Sequence, residues 1–121
     1  MRAIRWRLPL AWALLIEVLV VWPHPPSLPQ AWDVVGADKY VHASLFAVLA
    51  VLAARALAQE ARPAWIALAA SAAFGMFTEL EQHFIPSRAM ELGDFLADVT
   101  GAAVGVVAFT IWAHRRREFS R

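Results

Sequence analysis

Polar and ionisable residues of this 121-residue chain gather in three short stretches that long apolar segments separate. The candidate residues are Asp38, Lys39, His42, Glu79, Gln82, Arg88, Asp94 and Asp98. An imidazole and carboxylates within hydrogen-bond reach can exchange protons with a substrate, and ammonium or guanidinium groups can hold a phosphate or carboxylate. These residue types therefore allow acid–base chemistry or anion capture, provided that the fold brings the three stretches together.

Helical spacing assigns the polar residues of the middle stretch to helix faces, because residues three or four positions apart share a face and residues two apart do not. Gly75, Glu79 and Gln82 fall on one stripe. Glu81 points roughly opposite Glu79, and we predict that it is solvated or faces lipid headgroups. The sequence thus predicts one functional face on this helix.

The last stretch also forms one stripe, which contains Asp94, Asp98, Gly101 and Gly105. Glycines on such a stripe allow a neighbouring helix to approach closely, as small residues do in membrane proteins. We therefore predict that Gly75, Gly101 and Gly105 are helix-packing positions.

The elements that position these residues are predicted to be membrane-spanning helices, because 60% of the residues are apolar and fall in long blocks, while 17% are charged. The four predicted spans are residues 8–22, 39–58, 64–85 and 94–113. The last three contain 20 to 22 residues, enough to cross a hydrocarbon core about 30 Å thick. The predicted fold class is an all-α integral membrane protein, a four-helix transmembrane bundle.

The first span is shorter and carries Glu17 near its middle. Its nine Leu, Ile and Val residues favour insertion by about 3 to 5 kcal/mol, against a cost of about 3 kcal/mol for a central carboxylate. A cleaved signal peptide is the alternative, because three arginines precede the apolar run. No small-x-small cleavage site follows Trp22, so a membrane span is the preferred interpretation.

Basic residues predict the orientation of these spans. Nine arginines fall on one side, which leaves Lys39 and Arg88 on the other. Since basic residues favour the cytoplasmic side, both termini are predicted to be cytoplasmic, and the polar stretches face outward. The net charge is only +1, and the positive-inside rule already explains the basic C-terminus, so nucleic-acid binding is not expected.

These polar stretches resemble the VanZ-like family of small membrane proteins, named for a teicoplanin-resistance protein. The resemblance runs from about Asp38 to Gly105. Its elements are Asp38-Lys39-x-x-His42, Glu79-x-x-Gln82-x-x-x-Pro86-x-Arg88 and Asp94-x-x-x-Asp98-x-x-Gly101. This chain has Asp98 where the family usually has Asn. The resemblance implies one VanZ-like domain over residues 1–121, in a bacterial inner membrane, linked to the cell envelope and to glycopeptide tolerance.

Three interpretations of the polar residues remain open at the level of sequence. They could line an outward-facing pocket that binds a lipid headgroup, a lipoglycopeptide or an envelope protein. They could form a hydrolase or transferase site for an anionic envelope lipid, although no serine or cysteine nucleophile motif is present. They could also only pair with one another to hold the helices together.

No cofactor or metal is predicted, because His42 with the carboxylates of Glu79 and Asp98 is a weak ligand set by sequence alone. The sequence leaves the oligomeric state open. It also does not settle whether Glu17 joins the site.

Overall fold

Four α-helices make up the computed structural model, which describes residues 2–22, 36–87 and 89–120. The helices are α1 (Arg2–Val21), α2 (Ala37–Ala56), α3 (Pro63–His83) and α4 (Leu92–Phe119). The all-α prediction is confirmed. Helix α1 begins six residues before the predicted span and α4 ends six residues after it, because both continue into arginine-rich segments that extend beyond the apolar core.

Three of these helices, α2, α3 and α4, are long and apolar enough to cross a membrane, so the chain is a membrane protein with at least these candidate spans. Helix α1 is not among them, since it carries Arg5, Arg7 and Glu17 within its 20 residues. The predicted fourth span therefore remains a prediction. Helix α1 does expose Leu8, Leu10 and other large apolar side chains, as a lipid-facing helix would.

Helices α2 and α4 approach each other through two glycines. A Cβ atom added to Gly101 would overlap the backbone of Ala43, and one added to Gly105 would overlap the backbone of Ala47. Both contacts join the backbones of the two helices directly, as small-xxx-small interfaces do in membranes. This close approach brings the N-terminal ends of α2 and α4 side by side.

Helix α3 completes the arrangement through Gly75, where an added Cβ would lie 3.2 Å from Asp98 and 3.3 Å from Phe46. The loop between α2 and α3 is short, so these helices run antiparallel. At the far end of the bundle an alanine-rich core packs α2, α3 and α4 together around Ala54, Ala67 and Ala102. The C-terminal half of α3 therefore faces the start of α4.

Helix α1 packs on the side of this three-helix unit. Its Ile16 and Val20 are buried against Phe46 and Leu49 of α2. The indole of Trp12 donates a hydrogen bond of 2.9 Å to the Leu45 carbonyl. Helix α1 therefore covers the faces of α2 and α3 that lie away from α4.

Candidate functional site

Seven residues of α2, α3 and α4 form one connected group, here called the charged cluster. Its members are Asp38, Lys39, His42, Glu79, Glu91, Asp94 and Asp98. Six of them belong to the three helices, and Glu91 is the N-cap residue directly before α4. The close packing of α2 on α4 explains why groups more than fifty residues apart in sequence meet here.

The outer part of the cluster is centred on Lys39. Its Nζ lies 2.8 Å from Glu91 Oε2, 3.0 Å from Asp94 Oδ1 and 3.4 Å from Asp38 Oδ2. An ammonium group has three N–H donors, and three carboxylates surround this one. Lys39 is therefore engaged by carboxylates, which does not suit the sequence interpretation that it holds a phosphate or carboxylate of a ligand.

The inner part of the cluster begins at His42, one turn further along α2. Its Nδ1 lies 2.8 Å from Asp98 Oδ1, and its Nε2 lies 3.7 Å from Asp94 Oδ2. The Asp98 side chain has no exposed surface, whereas 15% of the His42 side chain is exposed. The two carboxylates of the α4 stripe thus hold the imidazole ring from both edges.

Glu79 approaches the same place from α3 and is fully buried. Its Oε2 accepts a hydrogen bond of 3.0 Å from the backbone N–H of Glu91. Glu79 Oε1 and Asp98 Oδ2 are both buried and have no hydrogen-bond partner within the described part of the chain. His42, Glu79 and Asp98 each offer one ligand atom, and these three atoms lie within 4.8 Å of one another.

Charge in the cluster is strongly negative. Five carboxylates face one lysine and one histidine among the described residues. Transferring a carboxylate out of water is costly unless it is paired with a cation or takes up a proton. The cluster therefore suits a positively charged or hydrogen-bond-donating partner better than an anionic one.

Two further polar residues of α3 face helix α1 instead of the charged cluster. Gln82, which the sequence assigned to the pocket, is buried and donates a hydrogen bond of 3.3 Å to the Val20 carbonyl. Glu81, predicted to be solvated, instead has a buried Oε2 that lacks a hydrogen-bond partner among the described residues, as does Oε2 of its neighbour Glu17 on α1. That prediction was wrong, because helix α1 covers the face opposite Glu79.

Of the predicted site residues, the structure brings together Asp38, Lys39, His42, Glu79, Asp94 and Asp98. Arg88 lies outside the described residues. Glu91 was missed by sequence reasoning, although it lies one helical turn before Asp94 and at the start of α4, where a carboxylate is favoured by the helix dipole. This position at the helix start is the sequence feature that could have identified Glu91.

A family model described as VanZ/LLP1 matches residues 7–113 of the chain, which includes the whole charged cluster. No curated protein and no solved structure gives a significant match.

Proposed function

Because the chain belongs to the VanZ/LLP1 family, we propose that it is a membrane-embedded binding protein whose charged cluster captures a component of the bacterial cell envelope. The observation that carries this proposal is the pair of fully buried carboxylates, Glu79 and Asp98, each with one oxygen that has no partner among the described residues. Ionisable groups are costly inside membrane proteins and usually serve a function. A purely structural role would leave neither oxygen unpaired.

The proposed setting is the bacterial inner membrane, with four spans and both termini in the cytoplasm. Arginines gather at one end of the bundle: Arg55 of α2 and Arg116 of α4 both lie over the Trp112 ring, at 5.8 and 4.9 Å. The charged cluster is at the opposite ends of the same helices. Basic residues favour the cytoplasmic side, so this asymmetry supports an outward-facing cluster.

The chemistry of the captured group follows from the excess of carboxylates. Lys39 is surrounded by three carboxylates, so an anionic headgroup would meet repulsion from Glu91 and Asp94. We therefore propose that the captured group is an amine or another strong hydrogen-bond donor, carried by an envelope lipid, an envelope protein or a lipoglycopeptide. Because the VanZ-like family is named for a teicoplanin-resistance protein, we also propose that this capture contributes to tolerance of teicoplanin-type glycopeptides.

A membrane-embedded hydrolase or transferase is the second candidate, and the contact between His42 and Asp98 is the observation that favours it. At 2.8 Å, the carboxylate can orient the imidazole as it does in general-base sites. Such an enzyme would act through activated water or direct transfer. The substrate would be an envelope lipid, as the sequence interpretation proposes.

The test compares matched variants in a bacterial host that lacks its own family members. Glu79→Gln and Asp98→Asn keep the side-chain shape and remove one charge each. Glu60→Gln, an exposed carboxylate in the loop between α2 and α3, is the control. We expect the two cluster variants to lose teicoplanin tolerance at wild-type membrane levels, and the control to retain it.

Two readouts separate the candidate functions. Loss of tolerance with an unchanged envelope-lipid profile supports binding, whereas a change in lipid species that depends on Glu79 supports the enzyme. Full tolerance in both cluster variants would contradict the proposed function in either form.

A further inference from the structure

The inner and outer parts of the charged cluster differ in how their negative charge is balanced. In the outer part, Asp38, Glu91 and Asp94 gather around the ammonium group of Lys39. In the inner part, Glu79 and Asp98 form no ion pair with a lysine or arginine among the described residues. Their neighbouring basic side chain is the imidazole of His42. The charge of the outer carboxylates is therefore balanced by the Lys39 ammonium group, whereas the inner carboxylates can accept a further cation.

The ligand-bearing groups of the inner part converge. Glu79 and Asp98 are completely buried, and Glu79 Oε1 and Asp98 Oδ2 are not hydrogen-bonded within the described chain. One nitrogen of His42 and one carboxylate oxygen from each of Glu79 and Asp98 lie within 4.8 Å of one another. Ligands around one zinc ion, at about 2.0 to 2.2 Å from the metal, lie a little over 3 Å apart, so small side-chain rotations would complete the set.

We propose that His42, Glu79 and Asp98 bind one divalent transition-metal ion of the zinc type. Imidazole nitrogen and carboxylate oxygen are both ligands of such ions, and three protein ligands leave at least one coordination position for water or a ligand group. The ion supplies two positive charges where two buried carboxylates meet. This inference concerns the same site as the proposed function, and its test, metal binding by the purified chain, is independent of the envelope phenotype.

The neighbouring residues form the surroundings that such a site needs. With His42 Nδ1 on the metal, the Nε2–H faces Asp94 Oδ2 at 3.7 Å, and ligating histidines commonly donate their second N–H to a carboxylate. Glu79 Oε2 is held by the Glu91 N–H at 3.0 Å, which leaves Oε1 for the ion. Gly75 lies against Asp98, where an added Cβ would be 3.2 Å away, so helix α3 can approach the Asp98 carboxylate closely.

The same arrangement explains why the outer carboxylates are not a second metal site. Asp38, Glu91 and Asp94 also offer ligand atoms within 4.8 Å of one another. Lys39 Nζ already lies 2.8 to 3.4 Å from all three. A divalent ion there would have to displace the ammonium group, whereas at the inner site it would replace only the proton between His42 Nδ1 and Asp98 Oδ1.

The experiment uses the full chain, purified in detergent, treated with a chelator and dialysed into metal-free buffer. Zn²⁺, Mn²⁺ and Mg²⁺ are titrated separately by calorimetry, and bound metal is counted by elemental analysis. We expect one equivalent of Zn²⁺ per chain and a higher unfolding temperature with Zn²⁺, because an ion that binds only the folded state stabilises it. Co²⁺ in place of Zn²⁺ should give visible absorption bands that report nitrogen and oxygen ligands.

Matched variants locate the ion. Glu79→Gln and Asp98→Asn should each weaken Zn²⁺ binding at least tenfold, and His42→Ala should abolish the Co²⁺ bands of the wild-type spectrum. Asp38→Asn tests the outer carboxylates and should change the Zn²⁺ affinity less than threefold, as should Glu60→Gln at the far end of the bundle.

Three outcomes would overturn the proposal. One is the absence of stoichiometric binding by the folded wild-type chain, a result that needs no variant to fold. The second is unchanged affinity in folded Glu79→Gln and Asp98→Asn. The third is loss of binding in Asp38→Asn with retention in Glu79→Gln, which would move the ion to the outer carboxylates.

Discussion

His42 Nδ1 lies 2.8 Å from Asp98 Oδ1, and this contact joins α2 to α4 next to their closest backbone approach. Ala43 follows His42 in the chain, and Gly101 lies one turn after Asp98; these two residues form the tight contact itself. The glycine therefore does more than allow packing. It sets the distance between helices at which a short imidazole–carboxylate contact can form.

Gly101→Leu should destabilise the protein, because even a Cβ atom at this position would overlap the backbone of Ala43. Overpacking of this kind costs about 1 to 3 kcal/mol. The control is Val107→Leu, an exposed position on the same helix, with an expected change below about 0.5 kcal/mol. Thermal unfolding in detergent measures both, and equal stability of the two variants would show that Gly101 does not meet α2.

The contact between His42 and Asp98 should appear as a coupling energy in a double-mutant cycle. His42→Ala leaves a buried carboxylate oxygen without its partner, and Asp98→Ala removes the acceptor, so the single losses should not add. We expect a coupling of about 1 to 3 kcal/mol. The exposed pair of His114 and Glu118, 3.3 Å apart, provides the comparison and should couple by less than about 0.5 kcal/mol. A similar value for both pairs would mean that the inner contact is not formed.

Membrane topology can be tested with single cysteines, because the sequence contains none. A membrane-impermeant maleimide should label Ala89→Cys in intact cells and should reach Ser120→Cys only after the cells are permeabilised. Ile4→Cys tests the fourth span: it should be protected like position 120 if α1 crosses the membrane. Outside labelling of position 4 would leave three spans. Outside labelling of position 120 with protection of position 89 would reverse the orientation.

The neighbouring carboxyl groups of Glu17 and Glu81 should tolerate an amide at position 17. Glu17→Gln supplies an N–H donor to Glu81 without the need for a shared proton, so we expect stability to be unchanged or raised, by about 1 kcal/mol at most. Glu17→Leu is the matched contrast and should be less stable than Glu17→Gln, because leucine offers no donor to Glu81 Oε2, which is buried without a hydrogen-bond partner among the described residues. Unfolding temperatures in detergent measure both. If Glu17→Leu were the more stable variant, the pair would contribute no specific interaction.

Much of this architecture is predictable from sequence, because apolar blocks and helical spacing are local features. The three later helices, the α4 stripe of Asp94 and Asp98, and the shared face of Gly75 and Glu79 follow from such spacing. Spacing tells which face a residue occupies but does not tell what covers that face. The burial of Glu81 depends on where α1 packs, and that packing is a tertiary contact that helical spacing does not reveal.

The partners of Lys39 could not be predicted from the sequence, for a related reason. Its contacts with Glu91 and Asp94 join residues 52 and 55 positions apart, and only the backbone approach of α2 to α4 decides that they meet. Seen alone, a lysine near a membrane surface suits an anionic ligand. Surrounded by three carboxylates, it completes an ion-pair network.

The last prediction compares Glu79 and Glu81, two carboxylates on the same turn of α3. Glu79 belongs to the charged cluster and has a buried, unpartnered oxygen, whereas Glu81 is a neighbour of Glu17 of α1, on the other side of the helix. Glu79→Gln should lower the teicoplanin concentration that the host tolerates by about tenfold, which corresponds to roughly 1.4 kcal/mol of lost binding. Glu81→Gln should change it less than about twofold, since an amide can still pair with Glu17. Membrane levels of both variants, measured by immunoblotting, must match the wild type. Equal sensitivity of the two positions would mean that negative charge near the membrane surface matters in bulk, and the shaped site at His42, Glu79 and Asp98 would lose its functional support.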